Sequence, residues 1–155
     1  MTVRFAEEKD LERINELRRQ VNDIHVEGKP EIFKAGFPDE LRDYIYEIFA
    51  DPDKCIVAAE ADGIICGFAV IGIYVKPETP FMYERRFLEV YEFGVDKAFR
   101  RIGAGSEIMK FIRAYAAGRG IDRIELDMWE FNDGALKFYE QAGFTTYRRY
   151  MEMKL

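Results

Sequence analysis

The sequence predicts an α/β protein in which a mixed, mostly antiparallel central sheet is flanked by helices. An Ile- and Val-rich hairpin about Asp62-Gly63 predicts the antiparallel part, and helical apolar spacing on both sides of it predicts the covering layers. A chain of 155 residues suits one domain with one core. We therefore expect residues 1–155 to form a single domain.

The first half of the chain supplies three strands and two helices. Residues 2–6 alternate enough for a short strand, and apolar residues spaced by three and four predict a helix over about 10–25. An aromatic loop leads to a second helix over roughly 39–50. The hairpin follows, with strands at 55–60 and 64–75.

The second half continues with strands and helices in alternation. Residues 87–95 alternate along a strand, and Gly103-Ala104-Gly105 opens a helix that Gly118 and Gly120 end. A strand at 124–129 and a short helix at 133–142 come next. Residues 144–155 are predicted to form one or two closing strands.

Cysteine and histidine are too scarce for several kinds of site. A two-residue hairpin turn would place Cys55 opposite Val70 and Cys66 opposite Ala59, so we expect two unpaired, buried cysteines. His25 is the single histidine, which excludes metal sites built from several histidines. It is also the one possible histidine base for a Ser-His or Cys-His triad. We expect no metal.

The charge pattern and hydropathy bear on partners and location. The formal net charge is −6, which argues against nucleic acid as a partner. The acidic excess lies in the first half, which suits a cationic ligand there and an anionic one in the second half. No uncharged run approaches the ~20 residues of a membrane span, and the N-terminus lacks a secretory pattern, so we expect a cytoplasmic protein without a membrane partner.

Residues 95–106 have the features of a phosphate-binding loop. They follow a predicted strand and precede a helix, whose first N–H groups and positive dipole end favour anions. Gly103 and Gly105 allow close backbone approach, and Arg100 and Arg101 add charged donors. A Walker loop and a dinucleotide fingerprint both fail to fit, because no lysine follows Gly105 and the third glycine of the fingerprint is absent.

A second block extends this pattern. Residues 132–144 read Asn-x-x-Ala-x-x-Phe-Tyr and end in Gly-Phe, after the Arg-x-x-Gly-x-Gly of residues 100–105. Together the blocks resemble the GCN5-related N-acetyltransferase superfamily, strongly over residues 87–144 and weakly at Arg4-Phe5-Ala6 with Asp10-Leu11. The resemblance implies the acyl-CoA N-acyltransferase fold and acetyl-CoA-dependent transfer to an amine.

The resemblance also implies roles for individual residues. The backbone of Phe93 and Val95 would meet the pantetheine arm, Asn132 would lie beside the cofactor, and Tyr139 would lie near its sulfur. The pyrophosphate would be held by Arg100, Arg101, Gly103, Gly105 and Ser106. Asn132 also suits the N-cap of its own helix, and the two roles can coexist.

Direct transfer needs a neutral amine, yet an alkylamine with a pKa of ~10.4 is protonated at neutral pH. A carboxylate with a raised pKa is a natural base, and a tyrosine hydroxyl at the sulfur can protonate the leaving thiolate. Glu89 and Glu92 both precede Val95 on one strand, where alternation should point them to opposite faces. In relatives the base on this strand stands an even number of residues before the position of Val95, which favours Glu89. Gly94 could mark a bulge, and a bulge would reset the alternation of side chains between the two faces.

The acceptor site is expected between the first helices and the loop before the fourth strand. Its candidate walls are His25, Phe33, Phe37, Tyr44 and Tyr83, and its candidate acidic residues are Glu27, Glu31 and Asp39. A primary amine of a small molecule or peptide is the expected acceptor. One alternative function is a catalytically silent acyl-CoA-binding domain. Another is an enzyme that uses a longer acyl-CoA, in which case the size of the pocket near Gly94 and Trp129 would set the length of the acyl chain.

Residues 144–155 suit a homodimer interface, although a sheet edge can also be covered within the chain.

Overall fold

The computed structural model describes residues 1–155, and it confirms the mixed, mostly antiparallel sheet. The sheet has the order β1-β2-β3-β4-β5, in which β1 to β4 are antiparallel neighbours and β5 runs parallel to β4. The strands are β1 (Thr2–Phe5), β2 (Lys54–Ala61), β3 (Ile64–Lys76), β4 (Arg85–Val95) and β5 (Ile124–Leu126).

Helices cover both faces of the sheet. They are α1 (Leu11–Gly28), α2 (Asp39–Ala50), α3 (Ala104–Ala117) and α4 (Asp133–Gln141), with short 3-10 turns at Glu8–Asp10 and Lys97–Phe99. The apolar stripes of α1 and α2 pack on Phe68 and Val70 of the sheet, while α3 packs on Ala69 and Ile71 of the same strand. Alternation along β3 therefore separates two cores. None of the helices combines the length and apolar character that crossing a bilayer requires.

The hairpin between β2 and β3 is confirmed, with an irregular register. Asp62 and Gly63 have φ of 52° and 77°, which are the positive values of a type I′ turn. Beyond the turn, β3 contains a β-bulge at Cys66, so that Ala59 lies opposite Gly67.

This bulge corrects the expected positions of the cysteines. Cys55 lies opposite Ile71 rather than Val70, because the extra residue shifts the pairing by one. Cys66 is no longer opposite Ala59, although its thiol donates to the Ala59 carbonyl at 3.4 Å. Both cysteines are unpaired; Cys66 is buried and Cys55 is half-buried.

Two strand predictions near the C-terminus were wrong. β5 ends at Leu126 rather than at residue 129, because it loses its partner where β4 turns away. Residues 144–155 form no strand, since no backbone ladder reaches them, and side chains hold the segment instead. Tyr147 donates to Glu125 at 2.9 Å, and Lys29 donates to Glu152 at 2.9 Å.

Candidate active site

A β-bulge at Tyr91 determines where the two candidate bases point. Glu92 lies opposite Val70 of β3, whereas Val90 lies opposite Ile71, so Tyr91 is an extra residue in β4. The bulge resets the alternation between positions 89 and 92. Glu89 and Glu92 therefore share the face that α1 and α2 cover, and the prediction of opposite faces was wrong. Gly94 is not the site of the bulge.

Glu92 is occupied by an ion pair. Arg18 of α1 donates to its two carboxylate oxygens, from Nε at 2.8 Å and from Nη2 at 3.1 Å. Arg18, whose side chain is 4% exposed, also donates to the Asn15 amide oxygen and the Leu41 carbonyl. Protonation of Glu92 would weaken this bidentate contact, so Glu92 is suited to positioning α1 rather than to accepting protons.

Glu89 is free of such a partner. It is half-buried on the same face, opposite Gly72 of β3 and Glu125 of β5, and its carboxylate accepts no hydrogen bond within the chain. The carboxylate of Glu125 is paired with Arg85. Burial and the nearby charge of Glu89 raise the pKa of the Tyr91 hydroxyl. Glu89 is thus the available carboxylate beside the bulge.

Beyond the bulge, β4 presents a free backbone edge. Its last pair with β5 is Val90 with Leu126. After this pair the two strands separate and leave a gap between them. The Asp96 N–H donates toward β3, to the Cys66 carbonyl at 2.9 Å. Backbone groups of an extended strand alternate in direction, so those of Val95 and Phe93 point away from β3 into the gap. These are the positions expected to meet a pantetheine arm.

The predicted phosphate loop lies where β4 ends and α3 begins. Arg101 and Gly103 have φ of 67° and 92°, and the first helical hydrogen bond runs from Glu107 N–H to the Gly103 carbonyl. The N–H groups of Gly105 and Ser106 precede that bond and remain available to an anion. The side chains of Arg100 and Arg101 are exposed beside them.

Asp96 anchors the loop. Although burial opposes it, a hydrogen bond from the Ala98 N–H and the guanidinium of Arg13 hold the pKa of the Asp96 carboxyl below its ordinary value. Gln20 of α1 accepts a hydrogen bond from the Lys97 N–H at 3.0 Å. The loop is therefore fixed to α1 before any ligand arrives.

Gly105 has no room for a side chain. A Cβ at this position would lie 3.1 Å from the ring of Phe138 on α4. The same ring packs on Phe93 with centroids 5.4 Å apart, so it cannot retreat without disturbing β4. The close approach of α4 therefore explains the glycine in the first turn of α3.

Tyr139 lies in an aromatic cluster at the edge of the gap. Its ring centroid is 6.0 Å from that of Phe93 and 5.6 Å from that of Phe144. Burial raises the pKa of Tyr139 to about 12, so the hydroxyl stays protonated at neutral pH. Asn132 caps α4 by accepting a hydrogen bond from the Ala135 N–H at 3.0 Å, which confirms its capping role.

A second aromatic cluster joins the end of α1 to the loop that follows β5. The imidazole of His25 stacks on Phe33 at 4.9 Å, Phe33 meets Trp129 edge-on at 5.2 Å, and Phe131 contacts both Trp129 and His25. Burial lowers the pKa of His25, although the charge of Glu92 opposes the shift. His25 and Phe33 thus lie together as expected.

The other expected residues are not members of this aromatic cluster. Phe37 packs against the guanidinium groups of Arg18 and Arg19, Tyr44 is exposed on α2, and Tyr83 is 88% exposed in the loop before β4. Glu31 pairs with lysines, and Glu27 and Asp39 are exposed.

Gly94 does not border the gap. A Cβ there would lie 2.7 Å from Phe68 and 2.9 Å from Val21, in the core beneath α1. Of the residues around the site, Trp129 is predictable from the sequence, whereas Arg18 and Phe131 are not. In the sequence Arg18 looks like any other basic residue of a helix. Phe131 shows only as an aromatic residue between a predicted strand and the N-cap of the next helix.

Known proteins resemble this chain in sequence and in fold. The model of the acetyltransferase (GNAT) family matches residues 5–144. Mycothiol acetyltransferase of Clavibacter michiganensis subsp. michiganensis is 30% identical over 68% of this chain, and the match covers 31% of that relative. The N-alpha-acetyltransferase RimI of Mycobacterium tuberculosis is 32% identical over 61% of the chain and 54% of the relative. The chain thus spans about a third of the length of the mycothiol acetyltransferases it matches.

Solved structures share the whole fold. A single-residue mutant of BH1408 protein from Bacillus halodurans is 28% identical, with a TM-score of 0.95 over 100% of this chain and 99% of that one. The aminoglycoside N-acetyltransferase AAC(6')-Iy in complex with CoA is 20% identical, with a TM-score of 0.75 over 99% of this chain and 93% of that one. At that identity the second likeness concerns the fold.

Proposed function

The chain belongs to the acetyltransferase (GNAT) family, and from this we propose that it transfers the acetyl group of acetyl-CoA directly to a primary amine in a ternary complex. The observation that carries the proposal is the bulge at Tyr91. It separates β4 from β5, turns the backbone of Phe93 and Val95 into the gap, and leaves Glu89 unpaired beside it. One strand thus offers a docking edge for the donor and a base for the acceptor.

The donor side is formed by the gap and the phosphate loop. Backbone groups of Phe93 and Val95 would bind the amides of the pantetheine arm as a neighbouring strand would. The N–H groups at the start of α3, with Arg100 and Arg101, would neutralise the pyrophosphate. Acetyl-CoA supplies a thioester carbonyl, at which the C–S bond breaks as the C–N bond to the amine forms.

Glu89 is the proposed base. It takes the proton of the acceptor ammonium, directly or through one water, so that the nitrogen lone pair is free to attack. The bidentate contact of Glu92 with Arg18 argues against Glu92 for this task. Its proposed role is to position α1, and with it His25, at the acceptor side of the gap.

Tyr139 is the proposed acid. Because burial keeps its hydroxyl protonated, it can donate that proton to the departing thiolate. The aromatic rings of Phe93 and Phe144 pack against the Tyr139 ring and would restrict its orientation toward the sulfur. Two protons leave the nitrogen in all. Glu89 takes the one that frees the lone pair of the ammonium and passes it to water. The second, lost as the amide forms, restores the Tyr139 hydroxyl after it has protonated the thiolate, so one proton is released overall.

The acceptor class is an amine on a small molecule or a peptide. Relatives and structural neighbours are named for mycothiol, N-alpha and aminoglycoside acetyl transfer, so amino sugars and peptide N-termini form the first test panel. Thiol release from acetyl-CoA with each amine would test the proposal. Release with at least one amine, lost in the Glu89→Gln variant, is expected. Tight acetyl-CoA binding without release for any amine would instead favour the silent binding domain.

A further inference from the structure

Glu89 has a second carboxylate as its neighbour across the sheet. Glu125 of β5 lies directly opposite Glu89 in the parallel pair, so the two side chains share one face. Neighbouring strands lie ~4.8 Å apart. Two free carboxylates at that separation repel each other when both are ionised, and one of them then tends to hold a proton. The behaviour of Glu89 as a base therefore depends on how Glu125 is held.

Arg85 and Tyr147 hold the Glu125 carboxylate. The Arg85 guanidinium donates to one of its oxygens, and the Tyr147 hydroxyl donates to the other at 2.9 Å. The guanidinium also lies 5.2 Å from the ring centroid of Phe87 and 5.9 Å from that of Tyr147. The Glu125 side chain is 13% exposed. Both oxygens of a largely buried carboxylate are thus occupied, one of them by a cation that two rings restrain.

This pairing draws the Glu125 carboxylate away from Glu89. Arg85 and Glu89 lie on the same face of β4, four residues apart, which is roughly 13 Å along a strand. Glu125 is in register with Glu89, so its side chain must lean toward the start of β4 to meet the guanidinium. The buried ring of Phe87 fills the position between Arg85 and Glu89. The two carboxylates therefore point apart although their backbones are adjacent.

The remaining charged groups on this face have contacts of their own. Lys54 of β2 pairs with Asp51 at 3.3 Å, and Lys76 of β3 lies over the Phe87 ring. Burial lowers the pKa of His25, so its imidazole is uncharged at neutral pH. The other titratable groups here are the Arg18–Glu92 pair of α1 and β4, Tyr44 of α2, Tyr74 of β3 and Tyr91 of β4. Glu125 is thus the charged group directly opposite Glu89.

We infer that Arg85 and Tyr147 are positioning residues, which hold Glu125 apart from Glu89 and so keep Glu89 available to accept the acceptor's proton. The inference rests on the proposed function, in which Glu89 is the base. Arg85 cancels the charge of Glu125 and withdraws its carboxylate, so Glu89 shares no proton with it. Tyr147 brings the C-terminal segment, which forms no strand, into the same site.

Carbon-13 NMR of the glutamate carboxyl groups, followed against pH, tests the inference without an acceptor. In the wild-type protein Glu89 and Glu125 should titrate independently. In Arg85→Met they should titrate as a coupled pair, with the later step at least ~1 pH unit above the wild-type midpoint of Glu89. R85M/E125Q lacks the second carboxylate and should restore that midpoint. Arg86→Met, next along β4 but on its other face, is the matched control and should leave both titrations unchanged.

The pH dependence of kcat/KM is the second measurement, made with an acceptor found by thiol release. The acidic limb should move to higher pH in Arg85→Met, with the plateau retained, and should return in R85M/E125Q. Tyr147→Phe should move the limb in the same direction by less, because Arg85 still neutralises Glu125. Tyr150→Phe is its control, since Tyr150 is 86% exposed and donates no hydrogen bond within the chain.

The outcomes separate the two proposals. Independent titration of Glu89 and Glu125 in Arg85→Met would overturn this inference and leave the proposed function standing. A shift that persists in R85M/E125Q would also overturn it, because lost packing on Phe87 and not the second carboxylate would then be the cause. A wild-type transfer rate in Glu89→Gln would overturn the proposed base, and this inference with it.

Thermal unfolding of each variant checks that the fold is retained. Tyr147→Phe keeps its ring and tests the same pairing if Arg85→Met is poorly folded. An unchanged titration of Glu89 in a folded Tyr147→Phe protein would then overturn the inference.

Discussion

Arg18 donates two hydrogen bonds to Glu92, at 2.8 and 3.1 Å. Glu89 has no such partner, although it lies three residues earlier on the same face of the same strand. The bulge at Tyr91 places both carboxylates on this face, because regular alternation would have sent one of them to the other face. The asymmetry comes from Arg18, which pairs with Glu92 and not with Glu89. This difference in pairing is the basis for the two proposed roles, positioning for Glu92 and proton transfer for Glu89.

The ion pair should stabilise the fold. Glu92→Ala leaves a guanidinium that is 4% exposed without its carboxylate, and we expect the free energy of unfolding to fall by about 3 kcal/mol. Replacing both partners, as in R18M/E92L, should cost less than Glu92→Ala alone, because no buried charge remains. Urea unfolding of the two variants checks this. A double variant less stable than Glu92→Ala would contradict the assigned role.

The glycine of the phosphate loop should be indispensable for donor binding. Gly105→Val places methyl groups against Phe138, which lies 3.1 Å from the Cβ position, and blocks the N–H groups at the start of α3. We expect the affinity for acetyl-CoA to fall by at least about 100-fold, or roughly 3 kcal/mol. Gly134→Ala is the matched control, since its nearest contact is ordinary at 3.8 Å. Unchanged binding by Gly105→Val in calorimetry would argue against this loop as the pyrophosphate site.

Tyr139 should link stability to alkaline pH. Its pKa is raised to about 12 by burial, whereas an unfolded tyrosine ionises near ~10. The stabilisation is therefore fully present below pH ~10 and is lost as pH rises toward 12, because the unfolded chain releases the proton first. In Tyr139→Phe the free energy of unfolding should therefore fall less steeply over this pH range. Denaturant unfolding of both proteins between pH 9 and 11 measures it, and identical pH slopes would refute the assignment.

The same variant should slow the reaction. Loss of a general acid typically costs ~10² to 10⁴ in rate, so kcat should fall about 100-fold in Tyr139→Phe with little change in the affinity for acetyl-CoA. Acceptors assayed by thiol release provide the measurement. A variant with wild-type kcat would show that the thiolate leaves without this hydroxyl.

The contact between α1 and the loop after β5 should tolerate no added atom. A Cβ on Gly28 would lie 2.1 Å from the Phe131 ring, so Gly28→Ala should destabilise the fold by about 2 kcal/mol through overpacking. In a Phe131→Ala background the same substitution should cost much less, since the opposing ring is gone. Additive effects in the double variant would contradict the contact.

The elements were predictable where local pattern and packing agree. Apolar spacing located α1 and α2, and Asp-Gly located the hairpin, because in each case one face must be buried. The joined motifs of α3 and α4 also predict the pyrophosphate loop and Tyr139 as site residues, and these roles stay predictions. These features depend on residues close together in the chain.

What the sequence did not reveal depends on long-range pairing. The bulges at Cys66 and Tyr91 arise from the register between strands, and no local signal at either residue marks them. The ion pair of Arg18 joins residues 74 positions apart, and Phe131 contacts Gly28 from a distant part of the chain. Residues 144–155 looked strand-like because alternation does not show whether a partner strand exists.

The central claim is that Glu89 removes the acceptor proton, and single-turnover acetyl transfer by Glu89→Gln tests it most directly. At saturating acetyl-CoA and near-neutral pH, the rate should fall by at least about 100-fold, with the affinity for acetyl-CoA unchanged. The loss should be partly recovered at higher pH, where the free amine is more abundant and needs no base. A Glu89→Gln protein that transfers acetyl groups at the wild-type rate near neutral pH would contradict the account.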